Sequence, residues 1–320
     1  MRHLVILLLP GLAAAASWTE TGEAVKGYPE AVKEIRYGVS ADRTEQPALY
    51  YSSGSDQKKP LLVALHTWSG GYRQTMNVPA ARWCVDKDWV FVHPDFRGPN
   101  RTPDSLGSDK AVSDVMDLVK RVQEKDAIDP DRIYLVGVSG GGHMALLLAG
   151  RHPEVWAGVS AWCGISDIAA WHEQCENSRY KKYAAMIRSA CGGPPGASGE
   201  RDRDYAHRSP LRWLDRAKDV NLDVQVGIWD GHKGSVPISH SLLAYNRVVP
   251  EAERLETSRI VKMTREPKLF ELDSSIHLPA YGEKQPIYQR SHHKTRLTVF
   301  NGGHEIIYPV ALTWLEKQHR

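Results

Sequence analysis

One five-residue segment, Gly137 to Gly141 (Gly-Val-Ser-Gly-Gly), constrains the fold of this chain more than any other feature. It follows a β-rich run at 132–136 and precedes a stretch with helical spacing at 141–150. A Gly-x-Ser-x-Gly segment in that context forms a sharp strand-to-helix turn, in which only small neighbours of the strained serine avoid collision. The segment therefore predicts an exposed nucleophile at Ser139. The alternative interpretation is a glycine-rich turn that only packs.

Strand-like and helical patterns alternate on both sides of this turn. Such alternation predicts an α/β fold with a mostly parallel central sheet and helices on both faces, preceded here by an antiparallel pair of strands. The predicted strands are 32–39, 48–53, 60–66, 89–93, 132–137, 157–162, 223–229 and 295–300, and the predicted helices are 111–124, 141–150 and 307–318.

Two segments interrupt the alternation. Residues 166–205 are polar and locally rich in glycine and proline, and residues 250–294 carry many charges between two core strands. Both are expected to be insertions in a single domain, residues 17–320, and the second, a cap-like insertion before the last strand, should lie beside the site. Its end is basic and includes Arg290 and Lys294, which would either contact a substrate or belong to a solvated face.

The charge balance limits the class of partner. Lys plus Arg number 41 against 38 Asp plus Glu, a formal net charge of +3, which is too close to balance for an obligate nucleic-acid binder. A small-molecule or oligosaccharide substrate is favoured.

The first sixteen residues predict export. Arg2 and His3 precede an apolar run, and small residues follow at 13–17, as at a signal-peptidase site. The run is too short to span a bilayer, which disfavours the alternative of a membrane anchor. We therefore expect residues 1–16 to be a signal peptide and the mature protein to be secreted or periplasmic, without a membrane partner.

Four cysteines in an exported chain favour pairing. Cys175 and Cys191 are the preferred disulfide because they bracket a short polar stretch, whereas Cys84 and Cys163 either pair or lie in the core. No Cys-x-x-Cys spacing occurs, so no structural zinc is expected.

A serine nucleophile needs a base and an acid. His304 follows the last predicted strand and would return to Ser139 at the carboxyl edge of the sheet. Asp230 ends the preceding core strand and is the expected acid, although an aspartate before Gly231 could also be only a turn residue. Asp167, after an earlier strand, is the alternative acid.

The reaction also needs donors for the oxyanion. The backbone N–H of Gly140 should be one, and the turn after the first parallel strand should supply the other. Trp68 is the preferred donor in that turn, with Thr67 next. The Trp68 ring could also contact an aromatic or sugar face, or could pack in the core.

With these motifs the chain resembles the α/β-hydrolase superfamily over almost all of its mature length, and in particular the prolyl-oligopeptidase-like and carbohydrate-esterase branches. In many peptidase relatives the acid lies three residues before the Val-Pro pair, a position that is Lys233 here. The resemblance is carried by 137–141, 94–98 (Pro-Asp-Phe-Arg-Gly), 209–211 (Ser-Pro-Leu), 235–237 (Ser-Val-Pro) with Ser239 and Ser241, and 303–304 (Gly-His).

The resemblance implies a serine ester hydrolase that uses a Ser-His-Asp triad and no cofactor or metal. Acetyl or feruloyl groups on polysaccharide-derived sugars are the expected substrates. About forty residues separate the predicted signal from the first parallel strand, too few for the β-propeller of the peptidase relatives. A peptidase or amidase without a propeller, and a non-catalytic binding protein of the same fold, are the alternatives.

Overall fold

The computed structural model describes residues 17–267 and 277–320, so the predicted signal at 1–16 lies outside the described residues. The strands are β1 (Trp18–Ala24), β2 (Lys33–Gly38), β3 (Glu45–Tyr51), β4 (Lys59–Leu65), β5 (Val90–Pro94), β6 (Ile128–Val138), β7 (Gly158–Trp162), β8 (Leu222–Gly227), β9 (Pro286–His292) and β10 (Thr295–Phe300). The helices are α1 (Val78–Lys87), α2 (Asp109–Lys125), α3 (Gly140–Arg151), α4 (Ile168–Glu176), α5 (Lys181–Cys191), α6 (Gly199–Arg208), α7 (Ser239–Val248), α8 (Thr257–Arg265) and α9 (Tyr308–Leu315).

All ten strands form one sheet in the order β1-β2-β3-β5-β4-β6-β7-β8-β10-β9. The six strands from β5 to β10 in this order are parallel, and β1, β2, β3 and β9 are antiparallel additions at the two edges. Strands β4, β5, β7 and β8 are buried along their whole length, as expected for mostly apolar strands of a sheet that helices cover on both faces. The predicted α/β fold class is confirmed.

The parallel strands bring the site residues to one edge. Strands β6, β8 and β10 all end there, and residues 139, 230 and 304 follow them within four positions. Within the described ranges, no helix combines the length and the apolar character needed to cross a membrane.

The segment predicted as the first insertion is more helical than its composition indicated. Residues 168–208 form the three helices α4, α5 and α6, joined by short turns. The glycine and proline residues at 192–196 end α5 and lead to α6, where Ser198 caps the helix by accepting the N–H of Arg201. These helices bury a second apolar cluster, separate from the main core, between themselves and Trp68.

The predicted disulfide is wrong. Cys175 on α4 and Cys191 at the end of α5 are both free thiols, as are Cys84 and Cys163. Cys175 and Cys191 are buried in the second apolar cluster, and this burial raises the pKa of both thiols to about 12. They therefore act as small apolar residues in helix packing, which their spacing in the sequence could not reveal.

The segment predicted as the second insertion contains helix α8 and the edge strand β9, and its residues 268–276 lie outside the described residues. Arg290 is opposite Leu297 in the β9–β10 ladder, and its guanidinium contacts Glu253. Lys294 lies in the turn before β10, at the opposite end of that strand from His304. These positions support the solvated-face interpretation of the basic segment.

Two buried histidines join the α4–α6 helices to the rest of the domain. His143 on α3 contacts the Arg208 carbonyl through Nε2 at 2.8 Å. His240 on α7 contacts Gln174 Oε1 through Nε2 at 2.9 Å and accepts the N–H of Ser166 at Nδ1. Burial lowers the pKa of both imidazoles to about 4, so both stay neutral in the folded protein at pH 7.

These histidines predict a loss of stability on acidification. The unfolded chain takes up protons near pH 6.5, whereas the folded chain resists until about pH 4, so the free energy of unfolding should fall between these values by roughly 3 kcal/mol per histidine. Guanidinium denaturation at pH 7, 5 and 4 measures this loss. His240→Gln should reduce it, and the exposed His319→Gln should not. Equal pH dependence in all three proteins would contradict the assignment.

Candidate active site

Ser139 stands at the turn between β6 and α3 in a strained conformation. Its φ is 61° and its ψ is −119°, a region that residues other than glycine rarely occupy and that costs on the order of 1–3 kcal/mol. The Ser139 N–H donates to the Trp162 carbonyl at the end of β7, which ties the turn to the neighbouring strand. The side chain is thereby presented above the carboxyl edge of the sheet.

The neighbouring glycines are required by backbone contacts. A Cβ on Gly137 would lie 2.4 Å from the carbonyl group of Gly141, and one on Gly141 would lie 2.6 Å from the Leu65 carbonyl oxygen. A Cβ on Gly142 would lie 2.5 Å from the Trp162 carbonyl oxygen. Any side chain at these positions would push α3 away from β4, β6 or β7. The close packing explains why the segment needs glycine on both sides of the serine.

His304 and Asp230 form a hydrogen-bonded pair. His304 Nδ1 and Asp230 Oδ2 are 2.7 Å apart, the carboxylate is fully buried, and the imidazole is 21% exposed. Because Nδ1 faces the carboxylate, Nε2 is the ring nitrogen left to face a substrate. The other oxygen of Asp230 accepts the N–H groups of Gly231 and Val236, so the loop at 230–236 wraps around the acid.

A cavity of about 540 Å³ joins the serine and the histidine. Its size suits a small-molecule ligand rather than a single water. Within the described residues no hydrogen bond connects Ser139 with His304, a contact that often tightens only when substrate binds. The lining residues are Thr67, Trp68, Ser69, Thr75, Met76, Pro79, Val138, Ser139, Tyr183, Ser235, His304, Glu305, Ile306 and Tyr308.

Two backbone amides beside the serine have no acceptor in the described part of the chain. They are the N–H groups of Gly140 and Trp68. The two backbones touch, since a Cβ on Gly140 would lie 2.4 Å from the Trp68 nitrogen. The amide of Thr67, the alternative donor, is occupied by Gln74 Oε1 at 2.8 Å. The geometry therefore favours Trp68 and Gly140 as the oxyanion donors.

The Trp68 side chain lies in the second apolar cluster. It is 2% exposed and meets Trp171 edge to face, with ring centroids 4.5 Å apart. Tyr183 is the aromatic residue of α5 that lines the cavity, and it stacks on Trp171 at 5.4 Å. The packing interpretation of the Trp68 ring is therefore favoured over substrate contact.

The fold is shared with solved structures. A solved thermostable esterase superposes with a TM-score of 0.53 at 16% identity, covering 91% of this chain and 64% of that one. The chain has the α/β-hydrolase fold. Its residues 79–190, which include Ser139, match the model of the prolyl oligopeptidase family.

Curated relatives of this chain include esterases and a peptidase. A feruloyl esterase B of Thermothelomyces thermophilus is 24% identical over 131 residues, 38% of this chain and 44% of the relative. The uncharacterized peptidase YtmA of Bacillus subtilis is 25% identical over 177 residues, 54% of this chain and 63% of the relative. The chain thus matches less than two thirds of either relative. Together with the family match, these relatives show that the chain is similar to both esterases and peptidases.

The structure brings Ser139, His304 and Asp230 to one edge of the sheet and separates Asp167 from them. Asp167 caps helix α4 by accepting the N–H of Ala170 and lines a different surface cavity. Lys233 is exposed, with its ammonium 4.8 Å from the Trp229 ring centroid. The catalytic roles of the three residues stay predictions, but their placement leaves Asp230 as the acid that contacts the base.

One group of described residues could offer three ligand atoms to a metal ion. Cys163, Asp230 and His304 place a thiol, a carboxylate oxygen and a ring nitrogen within 4.8 Å of one another. The carboxylate and Nδ1 already bind each other, and burial raises the pKa of the Cys163 thiol well above its usual value. A metal here would displace the Asp230–His304 hydrogen bond, so the donor set fits a triad better than a metal centre.

Gln74 is a site residue that the sequence did not indicate. Its side-chain amide holds Thr67 twice, through the Thr67 N–H at 2.8 Å and the Thr67 hydroxyl at 2.7 Å. Its own carbonyl accepts the Tyr28 hydroxyl at 2.6 Å. Gln74 therefore fixes Thr67, the residue directly before the N–H of Trp68. The two partners are seven positions apart in an irregular loop, so no periodic pattern marks this contact.

Gln74→Leu should lower kcat on an ester by about tenfold or more and leave KM nearly unchanged, because the Trp68 amide would lose its orientation but not its place. Steady-state kinetics with 4-nitrophenyl acetate measures both constants. Gln74→Glu keeps an acceptor for the Thr67 N–H and should lose less. If Gln74→Leu keeps the wild-type kcat and the wild-type thermal stability, Gln74 does not position the oxyanion donors.

Proposed function

We propose that this protein is a serine ester hydrolase that forms an acyl-enzyme, and that its natural substrates are acylated carbohydrates. The observation that carries the proposal is the cavity lined by Ser139, His304 and Trp68, with Asp230 hydrogen-bonded to His304 and the backbone of Gly140 against that of Trp68. Each component of nucleophilic acyl transfer thus has a residue in or directly beside this cavity.

The reaction follows from this arrangement. Ser139 Oγ attacks the ester carbonyl carbon and gives its proton to Nε2 of His304, while Asp230 stabilises the imidazolium through Nδ1–H. The N–H groups of Trp68 and Gly140 donate to the oxyanion. The alcohol leaves with the proton from Nε2, and an acyl group remains on Ser139. A water molecule then repeats the attack and releases the acid.

The carbohydrate ester is the finer part of the proposal. The feruloyl esterase B relatives support an ester bond, and a cavity of about 540 Å³ has room for an aromatic acyl group as well as for acetyl. Apolar side chains at 76, 79, 138 and 306 line it and suit such an acyl group. Action outside the cytoplasm, after removal of residues 1–16, is part of the same proposal.

A peptidase or amidase activity is the second candidate. The prolyl oligopeptidase family match and the YtmA relative favour it. A matched pair of substrates, an ester and the amide with the same acyl group, distinguishes the two by kcat/KM. A larger value for the amide would replace the esterase by the peptidase without changing the triad.

Ser139→Ala and His304→Ala should each lower kcat by roughly 10⁴ or more, because nucleophile and base act as a unit, and Asp230→Ala should cost somewhat less. Ester hydrolysis by the purified variants measures this. A serine-reactive phosphonate should label the wild type at Ser139, whereas a non-catalytic binding protein would stay unlabelled. Asp167→Ala is the matched control, and a greater loss there than in Asp230→Ala would move the acid.

Hydrolysis should persist in EDTA, because the proposed serine mechanism uses no metal ion. Initial rates with and without the chelator check this expectation. Complete loss in EDTA that a divalent ion restores would contradict the serine mechanism.

A further inference from the structure

Four cations surround the start of helix α5, next to the catalytic cavity. Arg179, Lys181, Lys182 and Lys233 are all exposed, and we call them the basic rim. Tyr183, in the first turn of α5, lines the cavity itself, and Lys182 lies 5.0 Å from the centroid of its ring. The basic rim is therefore adjacent to the cavity through Tyr183.

The fold does not explain this concentration of positive charge. None of the four cations forms an ion pair with a carboxylate of the described residues. Lys181 and Lys182 occupy the first turn of an eleven-residue helix that has no acidic residue there and no side-chain cap. A helix N-terminus carries a partial positive charge, so lysines are unfavourable at this place. Residues that are unfavourable for their local structure and have no neighbouring contact to offset this are expected at functional sites.

The rim is also held in place. The Arg179 guanidinium and the Tyr180 hydroxyl both donate to the Lys233 carbonyl at 3.0 Å, which joins α5 to the loop that carries Asp230. Arg179 lies 5.0 Å from the Tyr180 ring centroid. Contact with aromatic rings orders these long side chains without neutralising their charge. An anion would therefore bind cationic side chains whose conformational entropy is already reduced.

Glu305, the acidic residue that lines the cavity, does not neutralise the positive charge of the basic rim. Glu305 follows His304 and forms a salt bridge with Lys284. Its other oxygen accepts the N–H of Gly303 at 3.0 Å. The buried carboxylate of Asp230 is hydrogen-bonded to His304. The charge that remains available beside the cavity is thus positive.

We propose that the basic rim is a subsite for an anionic sugar, so that the alcohol released by this enzyme carries a carboxylate or a sulfate. The inference rests on the proposed ester-hydrolase function and adds the substrate class. A uronic acid residue of an acylated polysaccharide and a sulfated sugar share this chemistry.

Two acetylated polymers test the subsite because they differ in charge and share the acyl group. Acetate release from O-acetylated polygalacturonate and from neutral O-acetylated glucomannan gives the ratio of the two kcat/KM values. Because both substrates react at the same triad, a change in the triad alters both kcat/KM values alike and leaves their ratio unchanged. We expect it to exceed one and to fall with added NaCl, because salt screens exposed charges.

Lys182→Gln and Lys233→Gln should each lower this ratio by about fivefold, and the double variant should lower it further. Lys120→Gln on α2 is the matched control, since it removes an exposed lysine far from the cavity and should keep the wild-type ratio. Galacturonate trimers should inhibit 4-nitrophenyl acetate hydrolysis more strongly than mannotriose does. Sulfated galactose oligomers are tested in the same assay, and the stronger inhibitor of the two anions identifies whether the carboxylate or the sulfate is preferred.

The outcomes separate the two proposals. If the wild type hydrolyses no ester, the proposed function fails. A different result rejects only the subsite. In that case the wild type hydrolyses 4-nitrophenyl acetate, but neither oligomeric anion inhibits it more than mannotriose does. The kcat/KM ratios of Lys182→Gln and Lys233→Gln also equal that of Lys120→Gln, and the proposed esterase function stands.

Discussion

The candidate active site depends on the close approach of helix α3 to three strands at the start of the helix. Gly137, Gly141 and Gly142 let the helix touch β4, β6 and β7 at distances that no side chain would permit. This contact holds Ser139 at a positive φ and places the amide of Gly140 against that of Trp68. The proposed nucleophile and the proposed oxyanion donors are therefore positioned by one packing constraint.

The proposed base, His304, and the proposed acid, Asp230, depend on the sheet in a different way. They lie on loops after β10 and β8, two strands that are parallel neighbours, so their side chains meet across the sheet edge. The space for that meeting is small, because a Cβ on Gly234 would lie 2.2 Å from an Asp230 oxygen and 2.5 Å from the His304 Cβ. Rigid strands bring the pair together, and a tightly folded loop fixes its orientation.

Most of the sheet could be predicted from sequence because its parallel, buried strands are short segments of mostly apolar residues. Strand β9 could not, since an edge strand with one neighbour carries the same polar residues as a loop. The free thiols of Cys175 and Cys191 were missed for another reason: pairing was inferred from spacing and compartment, whereas helix packing decides it. The site residues at strand ends were accessible to sequence reasoning, and Gln74, whose partner is defined only by tertiary structure, was not.

The buried histidines give the helices α4 to α6 a different stability from the sheet. His143 and His240 bind this segment through hydrogen bonds to Arg208, Gln174 and Ser166, outside the parallel strands. A local opening must break these contacts, the second apolar cluster and the hydrogen bonds of residues 179, 180 and 208 to neighbouring loops, whereas global unfolding must also separate ten strands. The helical segment should therefore open at a lower free energy than the sheet. Tyr183 and the packing around Trp68 would open with this segment, so activity would disappear in a protein that still gives the circular dichroism of a folded α/β domain.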